Sequence, residues 1–539
     1  METDTTVADT IAQACASHGV KRAFGVPGGG SSLDMIEALG RHGIGFQLCS
    51  TETGAVLMAA ADAELRGAFG VAIVTQGPGL ASAMNGLAHS ALDRAPVLLI
   101  SDGWTPDRTA FDSHQFFDQR LMSSAVAKAG SRLESADPAA ELEGLVAKML
   151  AAPWGPAHVE LTSANARRKL AGTGPRKAAA PVRDAGPVSQ RGDAAGLLAR
   201  ARRPVLLAGL EARDAGAPQR ILAMAERLGC PVLTTYKAKG AVGDESGRVV
   251  GHFTGGAAEG ECVGAADLIV LCGLDPVELI GKPWPYQAPV LDIALAEHPV
   301  HYVKPAAGVY GPLAAGLDAL LPACDRSDWQ PGDIAALRAG MAERLACRES
   351  QGGLSPQAVV ETAMRLAGPR RPGIAVDAGA HMFSAMAFWQ AGVVGGALIS
   401  NGLATMGYAL PAAIARALHA PDEQTIAFTG DGGLLMCAGE LAVAARSAAR
   451  LCVVVFNDAS LSLIALKQRD RGMAGAGVSL PAVDFAAVAR GFGMQAFAAR
   501  SQEEYEDALR RAFRAGGPCL IDARVDPSGY RSQARRLRG

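Results

Sequence analysis

Asp431 stands in the run Thr429-Gly-Asp-Gly-Gly433, and Asn457 closes a second apolar run, Cys452–Asn457, 26 residues further on. A carboxylate and a carboxamide offered from two neighbouring strand tips are oxygen ligands for one small, hard cation. Mg²⁺ suits them, because it prefers oxygen and usually combines few protein ligands with waters and phosphate. Gly430, Gly432 and Gly433 permit close backbone approach, and the helix after them presents free N–H groups to an anion. Taken alone, Gly-Asp-Gly also reads as a tight turn with a helix cap. Glu52, in Gln47-Leu-Cys-Ser-Thr-Glu-Thr-Gly54, opens an Ala-rich helix, where a carboxylate complements the helix dipole.

These residues need strands and crossovers to position them. The 26-residue spacing accommodates a helix, about Leu434–Arg446, and a return strand whose tip lies about 4.8 Å from the first. Further strands are expected at Val71–Thr75, Val97–Ser101, Val205–Ala208, Leu268–Cys272, Ile374–Asp377 and Ile426–Thr429. Continuous apolar runs of this length, separated by helices, describe parallel strands covered on both faces, with ligands gathering at their C-terminal ends. The expected fold class is therefore α/β. Residues 164–193 are rich in Ala, Gly, Pro and charge without an apolar period, which marks a linker. A weaker break lies around Asp325–Pro356. The unit Val71–Gly79 leading to Val97–Asp102 is echoed by Thr425–Gly433 leading to Cys452–Asp458, so the first and last blocks have the form of related domains.

The chain has 539 residues, 49% of them apolar and 19% charged, with a formal charge of −2. Length and composition suit several domains with sizeable cores and exclude wholesale disorder. The charge balance argues against nucleic acid or an anionic membrane as partner. No apolar stretch approaches the roughly 20 residues of a membrane helix, and the polar, acidic start is unlike a secretory signal. Ten scattered cysteines without a C-x-x-C pair read as buried thiols in a reducing, cytoplasmic setting.

Gly430-Asp-Gly432 with Asn457 resembles the metal–diphosphate motif of the thiamine-diphosphate enzymes, in the acetolactate synthase and 2-oxo-acid decarboxylase family. Phe24-Gly-Val-Pro-Gly28, Thr75-Gln-Gly-Pro-Gly79, Leu92-Asp-Arg-Ala-Pro96 and Gly402-Leu-Ala-Thr-Met-Gly-Tyr-Ala-Leu-Pro411 occur in the family's order over nearly the whole chain. The resemblance implies three domains, each a parallel sheet flanked by helices: a pyrimidine-binding domain (1–165), a linker (166–193), a middle Rossmann-like domain (194–345) and a diphosphate-binding domain (355–539). It implies thiamine diphosphate and Mg²⁺ as cofactors, and a homodimer or homotetramer, because each cofactor lies between two subunits. The matching glutamate, Glu52, holds the aminopyrimidine and passes it a proton on the way to the ylid. A buried carboxyl with a raised pKa suits that exchange.

Residue by residue, the resemblance places Gly28, Gln76, His381, Ala404, Met406, Gly430, Asp431, Gly432, Gly433, Asn457, Ser460 and Leu461 at the cofactor. Met406 is the apolar wedge beneath the bent cofactor, although packing is the commoner use of a methionine. Ala404, where relatives usually have Gly, offers its carbonyl to the 4′-amino group. Asp431, Asn457 and the carbonyl of Ala459 are the metal ligands, and Ser460 and Leu461 present N–H groups to the diphosphate. Gln115 and His114 match positions that face the substrate, although a loop histidine is more often solvated. The implied reaction is decarboxylation of a 2-oxo acid followed by ligation to a second carbonyl, as in acetolactate synthases. The alternatives are a decarboxylase resembling benzoylformate decarboxylase, which releases an aldehyde, and a non-catalytic paralogue. The adjacent His pair of pyruvate decarboxylases is missing. The middle block only loosely matches the flavin-binding domain of acetolactate synthases, at Gly251-His-Phe-Thr-Gly255, so FAD is not expected.

Overall fold

The computed structural model describes residues 5–170, 187–279, 281, 283–348, 350, 352–369 and 371–538. The expected linker 166–193 lies partly outside these residues. The chain separates into two compact units: Met1–Asp184 with Ile414–His419 and Gly439–Ser447, and the remainder, Ala185–Ala413, Ala420–Ala438 and Ala448–Gly539.

The first unit holds a parallel sheet of β1 (Arg22–Val26), β2 (Gly45–Leu48), β3 (Gly70–Val74), β4 (Val97–Asp102), β5 (Ala129–Ser131) and β6 (Ala157–Leu161), in the order β2-β1-β3-β4-β6-β5. β3, β4 and β6 are buried at every residue, which is why their sequences are continuous apolar runs rather than alternating ones. The helix Glu52–Arg66 starts where the Thr51 hydroxyl accepts from the Gly54 N–H at 2.9 Å, and ends at Gly67 in the left-handed region. It packs on the helix Pro78–Leu92. A Cβ at Gly86 would lie 2.6 Å from Val56, so the two helices approach closely only because Gly86 has no side chain.

The second unit contains two sheets. One comprises β7 (Ser189–Arg191), β8 (Pro204–Ala208), β9 (Val232–Thr234), β10 (Val249–His252), β11 (Leu268–Cys272), β12 (Val290–Ala294) and β13 (Ala307–Tyr310), in the order β10-β9-β8-β11-β12-β13-β7. Ser189–Arg191, which the sequence assigns to the linker, instead adds an antiparallel edge to β13. Short polar edge strands of this kind carry no apolar signal. The other sheet comprises β14 (Gly373–Val376), β15 (Ala397–Ile399), β16 (Thr425–Gly430), β17 (Leu451–Asn457), β18 (Gln495–Ala499) and β19 (Cys519–Arg524), in the order β15-β14-β16-β17-β19-β18.

That permutation repeats the first sheet strand for strand, so the echo between the first and third blocks is a shared topology. The helix expected at Leu434–Arg446 is two helices, Asp431–Cys437 and Glu440–Ser447, broken at Ala438-Gly439. All ten cysteines are buried and form no disulfide. Among the described residues, no helix is long and apolar enough to cross a membrane.

Candidate active site

Asp431 and Asn457 follow the paired residues Gly430 and Phe456 on the adjacent parallel strands β16 and β17, so they stand level at the C-terminal edge of the sheet. Asp431 Oδ1 accepts from the Gly432 N–H at 2.7 Å, and Oδ2 from the Ser460 N–H at 3.3 Å. Burial pushes the Asp431 carboxyl upward. Asn457 is 2% exposed. Its amide nitrogen donates to Asp522 Oδ1 at 2.8 Å and to the Val483 carbonyl at 3.3 Å. Those two bonds fix the amide orientation and leave Oδ1 buried without a partner. A buried, orphaned oxygen beside a carboxylate fits a hard cation, which would supply the missing interaction.

The third expected ligand, Ala459, has φ +55° and its carbonyl accepts from the Leu480 N–H at 2.8 Å. One lone pair of that carbonyl remains for a cation. Asp458 lies beside Asp431 and lines the same cleft, and burial pushes its carboxyl to about 7.

A cleft of about 240 Å³ opens over this edge, lined among others by His381, Ala404, Met406, Asp431, Asp458 and Leu461. It brings together nine of the expected cofactor residues: His381, Ala404, Met406, Gly430, Asp431, Gly432, Gly433, Ser460 and Leu461. A Cβ at Gly432 would lie 2.6 Å from the Leu461 side chain and 3.4 Å from Met406, so the floor is a cradle that a side chain would fill. Three helices, His381–Phe388, Asp431–Cys437 and Ser462–Asp470, begin at the cleft without a side-chain cap, at Ala380, Gly430 and Leu461. Three uncapped N-termini directed at one space suit a diphosphate.

His381 is buried against Phe456, and burial pushes its imidazole down to about 4, so it is neutral. Its Nε2 has no partner. Ala404 adopts φ +54°, the conformation that explains why glycine is usual there. Two of the expected diphosphate donors make other bonds within the chain. Ser460 donates its N–H to Asp431, and Leu461 donates its N–H to the Val478 carbonyl at 2.8 Å. Both residues line the cleft, with these N–H groups engaged inside the chain.

The sequence passes over Asp377, which closes β14. Its Oδ2 accepts from the Thr429 hydroxyl at 2.9 Å and the Gly407 N–H at 3.1 Å, and its Oδ1 from the Tyr408 and Ala378 N–H groups. It thereby ties the loop of Met406 to the Asp431 turn, and a Cβ at Gly433 would lie 2.2 Å from it. A polar residue ending an apolar run is the signal that marks it.

In the first unit, Glu52 follows β2 at the first turn of its helix and is half-buried within the chain, less covered than expected. Gly28, after β1, lies against Thr75 and Asp102, where a Cβ would approach to 2.2 and 2.4 Å. Gln76 is half-buried in the turn after β3. The next residue, Gly77, sits where a Cβ would meet the Gln115 carbonyl at 2.4 Å, and its N–H donates to Gln119 Oε1 at 2.9 Å. Gln119 in turn donates to the Asp102 carbonyl at 3.0 Å. Gly28, Gln76 and Gln115 thus converge at the ends of β1, β3 and β4. Gln115 has φ +63°, and both it and His114 are exposed.

Comparison with known proteins agrees with this layout. Models described as the N-terminal TPP binding domain, the central domain and the C-terminal TPP binding domain of thiamine pyrophosphate enzymes match residues 5–124, 192–320 and 377–523. The chain is 29% identical to a catabolic acetolactate synthase of Raoultella terrigena, over 96% of this chain and 95% of that one. It is 24% identical to an acetolactate synthase of Bacillus subtilis, over 97% and 93%. It is also 26% identical to a probable 2-ketoarginine decarboxylase of Pseudomonas aeruginosa, over 96% and 94%. With the two sheets of matching strand order, these similarities establish that the chain belongs to the thiamine-diphosphate-dependent enzymes of the acetolactate synthase and 2-oxo-acid decarboxylase family.

Proposed function

We propose that the enzyme is a carboligase of the acetolactate synthase type, which decarboxylates a 2-oxo acid and joins the remaining fragment to a second carbonyl. Thiamine diphosphate, when bound, supplies the carbon at which the 2-oxo acid is activated and loses CO₂. Asp431, Asn457 Oδ1 and the Ala459 carbonyl hold Mg²⁺, and the three helix starts take the diphosphate. Glu52, at the first turn of its helix, would face the aminopyrimidine ring as its partner for proton exchange. Met406 and Leu461 shape the floor on which the cofactor would rest.

The observation that carries the ligation reading is the apolar side of the cleft, formed by Met406, Leu461, Leu463, Ile464 and Phe456. His381, at the diphosphate end, is held neutral by burial. An apolar side of this kind would offer no proton to the fragment left after CO₂ departs, which favours its attack on a second carbonyl. The similarity to acetolactate synthases of Raoultella terrigena and Bacillus subtilis supports the same reading. The exposed imidazole of His114, beside Gln115, favours the second reading, a decarboxylase in which it delivers the proton.

Two further points belong to the reading. The half-buried Glu52 gains its cover from a partner subunit, in a homodimer or a dimer of dimers. Exposed Phe111 (84%), Leu121 (71%) and Met436 (61%) are apolar surface available for that pairing. The middle domain works without FAD. In sheets of this kind the N–H groups after the first strand take the nucleotide phosphate, whereas here Glu278 Oε2 accepts from the Leu210 N–H after β8 at 2.6 Å.

The test is product analysis with pyruvate and with benzoylformate. An acyloin as the main product is expected; free aldehyde alone would establish the decarboxylase reading, and no CO₂ release from either would overturn both. Glu52→Gln is expected to abolish turnover while sparing most of the cofactor affinity.

A further inference from the structure

The middle sheet changes direction between β8 and β11: the chain runs from β8 to β9 and β10 on one side, and through β11, β12 and β13 on the other. Crevices at such switch points are where doubly wound sheets bind their ligands. Three ionisable side chains occupy this one. Glu211 follows β8, Asp275 follows β11 and His298 follows β12, three strands that lie side by side. One ligand atom of each lies within 4.8 Å of the others.

All three are withdrawn from solvent, with Glu211 at 3%, Asp275 at 1% and the His298 side chain at 7% exposure. Glu211 is oriented by the Leu295 N–H, which donates to its Oε2 at 2.8 Å. Asp275 is oriented by the Val277 N–H, which donates to its Oδ1 at 2.9 Å. His298 Nε2 points at Glu211 Oε1 from 3.6 Å, within ion-pair range but too far for a hydrogen bond, and makes none. Asp292, on β12 and 1% exposed, lies near them with an Oδ1 that makes no hydrogen bond. Two buried carboxylates and a buried imidazole nitrogen that makes no hydrogen bond, all within reach of one point, form a set of donors that one ion would bring together.

We propose that Glu211, Asp275 and His298 form a divalent-cation site, separate from the cofactor's metal, that takes a zinc-class ion at the switch point of the middle domain. An imidazole with two carboxylates is a donor set that zinc accepts and that Mg²⁺, which favours oxygen alone and retains its waters, does not select. The backbone N–H groups that orient the two carboxylates play the part that outer partners play at metal centres. Three protein ligands leave a fourth position for water, and the ion ties together the three loops that close this edge of the sheet. The site makes no use of thiamine diphosphate, so it stands or falls apart from the catalytic reading.

The experiment uses the holoenzyme with thiamine diphosphate and excess Mg²⁺, dialysed against Zn²⁺ and desalted, with metal content read by mass spectrometry. The wild type is expected to retain one zinc per chain, and Glu211→Gln and His298→Ala to bind it at least about tenfold more weakly. Asp431→Ala is expected to keep it. Cobalt in place of zinc is expected to give the wild type visible absorption bands of a mixed nitrogen and oxygen site, a readout independent of any variant's folding. A wild type that retains no zinc and shows no cobalt bands, or folded variants that retain zinc in full, would overturn the proposal.

Discussion

Glu440 grips the turn that delivers Glu52. Its Oε1 accepts from both the N–H and the hydroxyl of Thr51 at 2.9 Å, and its Oε2 from the Ser50 N–H at 3.2 Å. A Cβ at Gly54 would lie 2.3 Å from the same carboxylate, so the helix start closes around it. Burial pushes the Glu440 carboxyl upward, while the hydrogen bonds from Ser50 and Thr51 act the other way. Glu440 can reach this position because the expected long helix breaks at Ala438-Gly439 and restarts at Glu440.

Glu440 is therefore a positioning residue for Glu52. Glu440→Ala is expected to lower kcat by about 10- to 100-fold, the scale of effect that loss of alignment produces, with KM and cofactor affinity nearly unchanged. Glu440→Gln, which keeps an oxygen for Thr51, is expected to recover most of the loss. Steady-state kinetics on the three proteins checks this; equal kcat values, or parallel losses in KM, would show that Glu440 does not position Glu52.

Asp377 performs a similar task in the cofactor cleft. Asp377→Asn turns amide hydrogens toward the N–H donors that now point at a carboxylate, and is expected to cost about 1–3 kcal/mol in unfolding free energy. Because Asp377 ties the loop of Met406 to the Asp431 turn, thiamine diphosphate affinity is expected to fall as well. Denaturant unfolding and calorimetry measure the two effects.

The architecture was legible because parallel strands are written as unbroken apolar runs. Leu268–Cys272 reads from the sequence with the same limits that the structure gives it, and the echo between the outer blocks becomes an identical strand order. Asp431 and Asn457 were legible because each closes such a run. What escaped was set by contacts distant in the chain. The Leu461 N–H is spent on Val478, across a loop whose path the local sequence does not specify. Glu440 was hidden inside an Ala-rich stretch where one glycine gives little warning of a break. Glu211, Asp275 and His298 carry no motif, and only the order of β8, β11 and β12 brings them together.

Glu278 makes a pH-dependent prediction. Burial pushes its carboxyl from the ordinary range to about 8, ahead of the opposing bonds from Thr235 and Leu210. A raised acid is favoured in its protonated form by the native fold. The fold therefore loses stability as pH rises from the unfolded value, about 4.5, through 8. Glu278→Gln cannot ionise, so it is expected to match the wild type near pH 5 and to exceed it in melting temperature near pH 9. Thermal melts across that range check it; parallel curves would show that Glu278 does not titrate in the native protein.

The claim on which the rest depends is that Asp431 and Asn457 grip a divalent ion that anchors the diphosphate. The most direct test is calorimetric titration of the apoprotein with thiamine diphosphate, with Mg²⁺ and with EDTA, for the wild type and for Asp431→Ala. Saturable binding in the wild type with Mg²⁺, lost both in EDTA and in folded Asp431→Ala, is the expected result. Equal affinity with and without the divalent ion, or an unimpaired Asp431→Ala, would contradict it.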